Sequence, residues 1–531
     1  MKKKARKQKA MTVLPETMFL AGLTEQRTRL VVGMFVAVNL FLCIALFEPK
    51  LHTGGDSSSY VLLAESVARL GDGYAQSLEP GPPQAHVQYP PGYPLLLAPL
   101  TMIAGRNFVA LKMLSVLLTV ASVLVFALYA RKRAGPGLWI FLAAAFAVNP
   151  LVVDYSRWIL SEAPFLFFTI LALYLIHDDE GKEMGRSFWL GLLGVLWCYY
   201  VRSVGIMLVG GASIAYLVRR EWRKFFVHAA VSTAVILPWM IRNQLRQGTV
   251  TPYLDQFLLR SVYEPEAGYL NLSGMVTRFF TNVQIYSARE FPRALVGSDS
   301  AWAGGGFLKI LAVVLCGFLV VGLVQIMRKR MEAAEAYFLL SCLAIFLFEE
   351  VVSDVRYLLP LIPLALIYIA EGISVAARFV RVKSASRVPA VAMVLLMVIG
   401  LSAQAGRIPQ NIDLLGRYAA GDHYAGYSPN WRTFFEAADW VKANTPQDAV
   451  VTVRKPRLFN LWADRRVKLY PFTSKTDSVL ETVFSTDYVV VDQVTGTTFR
   501  YLVPALETAP GRFAEVFRTE EPVTWVLSVS R

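Results

Sequence analysis

The chain has 531 residues, 55% of them hydrophobic and only 17% charged, well under the roughly 25% charged content of a soluble domain. A net charge of +14 would suggest nucleic acid in a soluble protein, but here the basic residues cluster in short loops beside apolar runs, as in cytoplasmic loops of membrane proteins, and no nucleic-acid partner is expected. Cys43, Cys198, Cys316 and Cys342 all lie in apolar runs, which excludes a disulfide framework and a CxxC metal motif.

Met1–Lys9 is strongly basic and the first apolar run begins only near Leu30. No small-residue cleavage site follows, so residues 1–29 are read as a retained cytoplasmic tail. About eleven spanning helices are predicted, near 30–47, 108–130, 136–154, 160–177, 188–201, 203–218, 225–240, 306–327, 335–352, 357–377 and 388–405, most of them near the roughly 20 residues a bilayer requires. An apolar stretch at 95–104 is too short to cross and is placed in the interface. With the N-terminus inside, the loops at 131–133, 182–186, 219–224, 328–330 and 378–387 are cytoplasmic, and all are basic, in accord with the positive-inside bias.

The outside face then carries a first loop (48–93), a short one at 154–161, a long one (243–305), a short one at 349–356 and the tail. In the tail, Trp431, Phe434, Phe435, Ala438 and Val441 have the spacing of a half-buried helix over 430–444, while 449–453, 488–491 and 524–529 read as strands. The fold class expected is mainly α, a multi-pass membrane protein with a transmembrane domain over 30–405 and a small α/β domain outside the membrane over 406–531.

The first loop contains Gly54-Gly55-Asp56-Ser57-Ser58-Ser59-Tyr60, followed by Tyr60, Leu63, Ala64 and Val67 on one helical face, with Gly71 as its end. Asp56 thus stands at a helix N-terminus, either as an N-cap or as a carboxylate kept ionised by the helix end and able to orient and deprotonate a hydroxyl. Gln88-Tyr89-Pro90-Pro91-Gly92-Tyr93-Pro94 stiffens the entry to the next segment. Arg157, Arg202, Arg242 and Arg356 fall at outside helix ends, against the positive-inside bias. They are read either as snorkelling side chains or as holders of an anion such as a lipid phosphate, which the guanidinium fork suits.

The order of a basic tail, one helix, Gly-Asp-x-x-x-Tyr, and Tyr-Pro-Pro-Gly-Tyr-Pro opening the next membrane segment resembles the GT-C superfamily of glycosyltransferases, near its protein mannosyltransferase and aminoarabinose transferase branches (glycosyltransferase family 39 type). Arg157–Pro164, Arg202–Gly205, Pro238–Asn243 and Arg356–Pro360 add to the resemblance, which covers about residues 25–405. It implies that Asp56 is the catalytic carboxylate, with Asp154 a second acidic residue, and that Arg356, Arg202, Arg157, Tyr89, Tyr93, Tyr60, Glu162 and His86 bind substrate. Asp56-Ser57 stands where some relatives have two adjacent acids, and Gln88-Tyr89 where some have Glu-Lys. These departures argue against a metal site like that of the aminoarabinose branch; the cofactor is left open, a divalent metal being compatible with the resemblance but without a clear ligand set here.

The activity so implied is that of an inverting hexosyl- or pentosyltransferase acting in cell-envelope glycan or lipid modification. It moves a sugar from a polyprenyl-phosphate donor to a hydroxyl of a lipid, glycan or protein acceptor, on the outer face of the cell inner membrane. The rival readings are a lipid or glycan transporter (flippase), against which stands the lack of repeat symmetry, and a glycan polymerase or ligase with a diphosphate-linked donor.

Overall fold

A computed structural model describes residues 24–69, 73–135, 137–179, 181, 183–246, 257–261, 267–297, 306–350 and 354–530. Most of the expected basic tail (residues 1–23), Lys182, Gly71, part of the short loop at 349–356 and much of the long loop lie outside those residues. The protein is mainly helical. Five helices among the described residues are long and apolar enough to cross a membrane: Glu25–Ala45, Phe108–Arg133, Trp222–Arg246, Val355–Phe379 and Val388–Ala419. The bent pair Leu138–Ala147 and Pro150–Ser156 would make a sixth.

The other runs read as spans are helical too, as Glu162–Asp178, Arg186–Val201, Ile206–Val218, Gly306–Lys329 and Ala333–Leu347. Several are shorter than a bilayer crossing by themselves. Val355–Phe379 is the central element, 94% buried over its apolar window.

Three local departures from the sequence reading have clear causes. The helix expected over 136–154 is two helices bent by 45°, because Pro150 lacks an N–H and Asn149 starts a new helix by accepting from the Val152 N–H at 3.1 Å. The segment ending at 405 continues after a break as Ile408–Ala419. The stretch at 95–104 begins earlier, as Gly92–Ala104. Its first residue must be glycine, since a Cβ there would lie 2.5 Å from the Tyr200 carbonyl oxygen of the helix Arg186–Val201.

In the first loop, the helix Asp56–Ala68 buries Tyr60, Leu63 and Ala64, and two short antiparallel strands pair, β1 (Ala75–Gln76) with β2 (Gln84–Ala85). The tail forms a five-stranded sheet from β3 (Val450–Thr452), β4 (Arg466–Lys468), β5 (Tyr488–Val491), β6 (Phe513–Arg518) and β7 (Trp525–Val529), in the order β4-β3-β5-β7-β6. The strands β4, β3 and β5 are parallel, and β5, β7 and β6 antiparallel. The two strands not expected, β4 and β6, are the sheet edges. They carry Arg466, Lys468, Glu515 and Arg518, the charges that keep edges from pairing with other chains and that hide a strand pattern.

The tail sheet's helix Pro456–Ala463 packs on the loop helix Asp56–Ala68. Polar contacts fix that union: the Val467 N–H donates to the Leu78 carbonyl at 2.7 Å. Arg106 clamps Glu65 with two nitrogens at 2.6 and 3.1 Å and reaches the Leu461 carbonyl at 3.3 Å.

Candidate functional site

Asp56 is the first residue of its helix, and the capping position belongs to Gly55, whose φ of 99° is the left-handed conformation glycine adopts without strain. The Ser58 and Ser59 hydroxyls donate to the Gly55 carbonyl at 2.8 and 2.9 Å. No side chain caps this end, so the N-cap reading of Asp56 is corrected. Its carboxylate is instead turned to two remote partners. Oδ1 accepts from the Tyr89 hydroxyl at 2.9 Å and Oδ2 from Arg356 Nη1 at 2.9 Å. Burial pushes the Asp56 pKa up, but the Arg356 guanidinium, the Tyr89 hydrogen bond and Arg202 outweigh it and hold the carboxyl below its ordinary value. It is a carboxylate at neutral pH.

Tyr89 is itself held in place. Its backbone N–H donates to His86 Nε2 at 2.9 Å, and its ring stacks on the His86 imidazole with centroids 5.1 Å apart. Burial, with Arg457 and Arg242 nearby, holds the His86 pKa down to about 3, so the ring is neutral and its Nε2 is an acceptor. The Tyr74 hydroxyl donates to the carbonyls of Tyr89 and Pro90 at 2.9 and 3.1 Å. Tyr60 packs against both Tyr89 and Tyr93, at 5.1 and 4.9 Å between centroids. Tyr93 is fully buried, so it supports Tyr60 from beneath.

Arg356 lies in the tight 3-10 turn Val355–Leu361, which Asp354 starts by accepting from the Arg356 N–H at 3.2 Å. Beside Asp56, the guanidinium reaches the Tyr357 hydroxyl at 3.3 Å and lies 3.9 Å from Glu162. Glu162, buried, forms an ion pair with Arg202. Arg202 also reaches Ser161 Oγ at 3.4 Å, and that hydroxyl accepts from Tyr60 at 2.8 Å. Asp56, Tyr89, Arg356, Glu162, Arg202 and Tyr60 thus form one connected network from five separate stretches of chain.

Asp154 and Arg157 belong to a neighbouring network. Arg157 pairs with Glu48 at 2.5 Å and with Asp154 at 3.4 Å, and Asp154 pairs with Arg407 at 2.7 Å. Among the described residues no hydrogen bond or ion pair joins them to Asp56. Trp158 packs beside this second network, with Arg157 over its ring at 5.2 Å and His52 edge-on at 5.1 Å. Arg242 is engaged elsewhere. It donates to the carbonyls of His86 at 2.7 Å, Gly73 at 3.3 Å and Tyr74 at 3.4 Å, and lies over Trp239. It locks the first loop, and the snorkelling reading fails for all four arginines because each has protein partners.

Sequence reasoning missed Glu48, Asp354, Arg407 and Lys455. Glu48, Arg407 and Lys455 are ordinary charged residues in their local context and only the packing brings them here, while Asp354 comes with Arg356, two residues on. Among the described residues no group of three or more His, Cys, Asp or Glu side chains is placed to hold a metal ion.

Comparison with solved structures places this architecture. ArnT from Cupriavidus metallidurans in the apo state superposes with a TM-score of 0.58 over 94% of this chain and 97% of that one, at 13% identity. The chain has the GT-C fold. The same ArnT bound to undecaprenyl phosphate gives a TM-score of 0.57 at 13% identity, with the same coverage. AglB from Archaeoglobus fulgidus, an archaeal oligosaccharyltransferase in complex with an inhibitory peptide and a dolichol-phosphate, gives 0.53 at 14% identity over 87% of this chain and 69% of that one. The family model described as dolichyl-phosphate-mannose-protein mannosyltransferase matches residues 88–241 of this GT-C chain, from the Tyr-Pro-Pro-Gly-Tyr-Pro motif to the helix that carries Arg242. Among curated proteins the sequence matches none.

Proposed function

We propose that this GT-C protein is an inverting glycosyltransferase that transfers a sugar from a polyprenyl-phosphate carrier to an acceptor hydroxyl at the outer face of the inner membrane. The observation that carries the reading is the Asp56 carboxylate, held ionised by Tyr89 and Arg356 at 2.9 Å each rather than used to cap its helix. The fold shared with proteins solved with undecaprenyl phosphate and with dolichol-phosphate supports a lipid-phosphate donor. The topology that goes with it has about eleven spans, the first loop (48–93), the long loop (243–305) and the tail (406–531) outside, and residues 1–29 inside.

In this mechanism Asp56 orients the acceptor hydroxyl by accepting its hydrogen bond. The acceptor oxygen attacks the anomeric carbon and its bond to that carbon forms. The bond from that carbon to the phosphate oxygen breaks, and the lipid phosphate leaves with the electron pair. The acceptor proton, more acidic as the new bond forms, passes to Asp56. One displacement inverts the carbon. A phosphate is stable as an anion, so no general acid is required. The Arg356 guanidinium, beside Asp56, stabilises the charge of the departing phosphate. Glu162 and Arg202 hold Arg356 and Tyr60 in place. The acceptor is a lipid, glycan or protein hydroxyl.

The test is purified protein with a panel of polyprenyl-phosphate sugars. Release of free lipid phosphate by wild type is expected, cut about 10²- to 10⁴-fold by Asp56→Asn with the fold retained. Movement of intact lipid without release, or wild-type turnover in Asp56→Asn, would overturn the reading.

A further inference from the structure

The cations around Asp56 are almost all committed to protein partners: Arg356 and Arg202 to carboxylates, Arg242 to backbone carbonyls, and Arg457 to Gln76 Oε1 at 3.1 Å. Lys455 is the exception. It is half-buried, yet among the described residues its side-chain ammonium has neither a hydrogen bond nor an ion pair. A partly desolvated ammonium without a partner is unfavourable, unless a ligand supplies the counter-charge.

Its place is fixed from two sides. Lys455 ends the turn after β3 and stands at the N-terminal position of the eight-residue helix Pro456–Ala463, where free backbone N–H groups also favour an anion. That helix packs on the helix that Asp56 begins. Two residues on, Arg457 bonds Gln76, and Gln76 Nε2 reaches the Ser59 carbonyl, one turn from Asp56, at 3.5 Å. Burial and Arg454 lower the Lys455 pKa, and the carboxylates that act against them are Asp56 and Asp492. Asp492 is fully buried at the end of β5, and its Oδ2 has no hydrogen-bond partner among the described residues. The carboxyl ends of parallel strands, here β3 and β5, are where open α/β sheets bind ligands.

We propose that Lys455 binds a phosphate group of the substrate beside Asp56, so that the C-terminal domain completes the membrane domain's site. This rests on the glycosyltransferase reading. The phosphate belongs either to the lipid carrier or to a phosphorylated acceptor, and the experiment separates the two.

Binding is measured on the full-length protein in detergent with farnesyl phosphate, with farnesol, and with inorganic phosphate. Lys455→Met is expected to weaken farnesyl phosphate about 10- to 100-fold, the range of a charge-assisted hydrogen bond, and to leave farnesol unchanged. That result assigns the lipid phosphate. Loss of inorganic phosphate binding alone, with farnesyl phosphate unchanged, assigns the acceptor's phosphate. Lys455→Arg keeps the charge and should bind within a few-fold of wild type, with melting temperatures as the control on folding. Unchanged affinity in the Met variant for both phosphates, no phosphate binding by wild type, or an Arg variant as weak as the Met variant each overturns the proposal. These are binding measurements without turnover, so a failed Asp56→Asn test would leave a phosphate site standing, and a failed Lys455 test would leave the transfer reading intact.

Discussion

Asp56 and Arg356 are 300 residues apart in the chain and 2.9 Å apart in space. The pair joins the first loop to the entrance of the most buried candidate span, Val355–Phe379. It also sets the ionisation of the carboxylate on which the proposed chemistry depends.

Arg356→Lys and Arg356→Met separate charge from fork. Lysine keeps the charge and loses the bidentate geometry, so part of the activity should remain. Methionine leaves Asp56 with Tyr89 alone and leaves Glu162 with Arg202. A charge-assisted hydrogen bond contributes about 1.5–3 kcal/mol, which predicts a loss of about 10- to 150-fold in kcat/KM for the methionine variant. Turnover against donor concentration, normalised to the membrane-inserted amount, checks it. Wild-type kinetics in the methionine variant would remove Arg356 from the site.

Tyr89→Phe deletes only the hydroxyl that donates to Asp56 Oδ1. The ring keeps its stacking on His86, so the melting temperature should hardly change. kcat/KM should fall about 10-fold or more. A phenylalanine variant with full activity would show that Asp56 is sufficiently held by Arg356.

His86 predicts a pH dependence of stability. Its folded pKa is about 3 against an ordinary 6.5, so the unfolded chain takes up a proton in that window and the folded chain does not. The stabilising contribution is complete above 6.5 and is lost as pH falls from there towards 3. Melting temperature measured from pH 7.5 to 5 should decline, and His86→Gln should flatten that decline while lowering the starting value. Parallel curves would place the titration elsewhere.

Topology is checked by single-cysteine labelling after replacing Cys43, Cys198, Cys316 and Cys342. Positions 56, 269 and 431 should react from the outside, and 132 and 329 only from the cytoplasm. Labelling of 431 only once the inner membrane is permeabilised would refute the arrangement of spans.

The sequence alone determined what depends on near neighbours. Apolar runs and basic loops located the helices, and the spacing of Trp431, Phe434, Phe435, Ala438 and Val441 marked the tail helix, found at Pro429–Asn444. Three apolar strands were legible because they lie inside the sheet, while β4 and β6 were not, because edge strands carry charge. Asp56 stood out through its glycines and the helix after it, signals a few residues long. Its role was undecided there, since capping and catalysis ask for the same residue at the same position. Tertiary structure removed the capping role by placing Gly55 at the cap, and it turned the carboxylate to Tyr89 and Arg356. The arginines show the same limit: four equal guanidinium groups in sequence become one beside Asp56, one on Glu162, one on Glu48 and Asp154, and one on loop carbonyls. Ion pairing depends on which helices pack together, and no local pattern encodes a contact made across 300 residues.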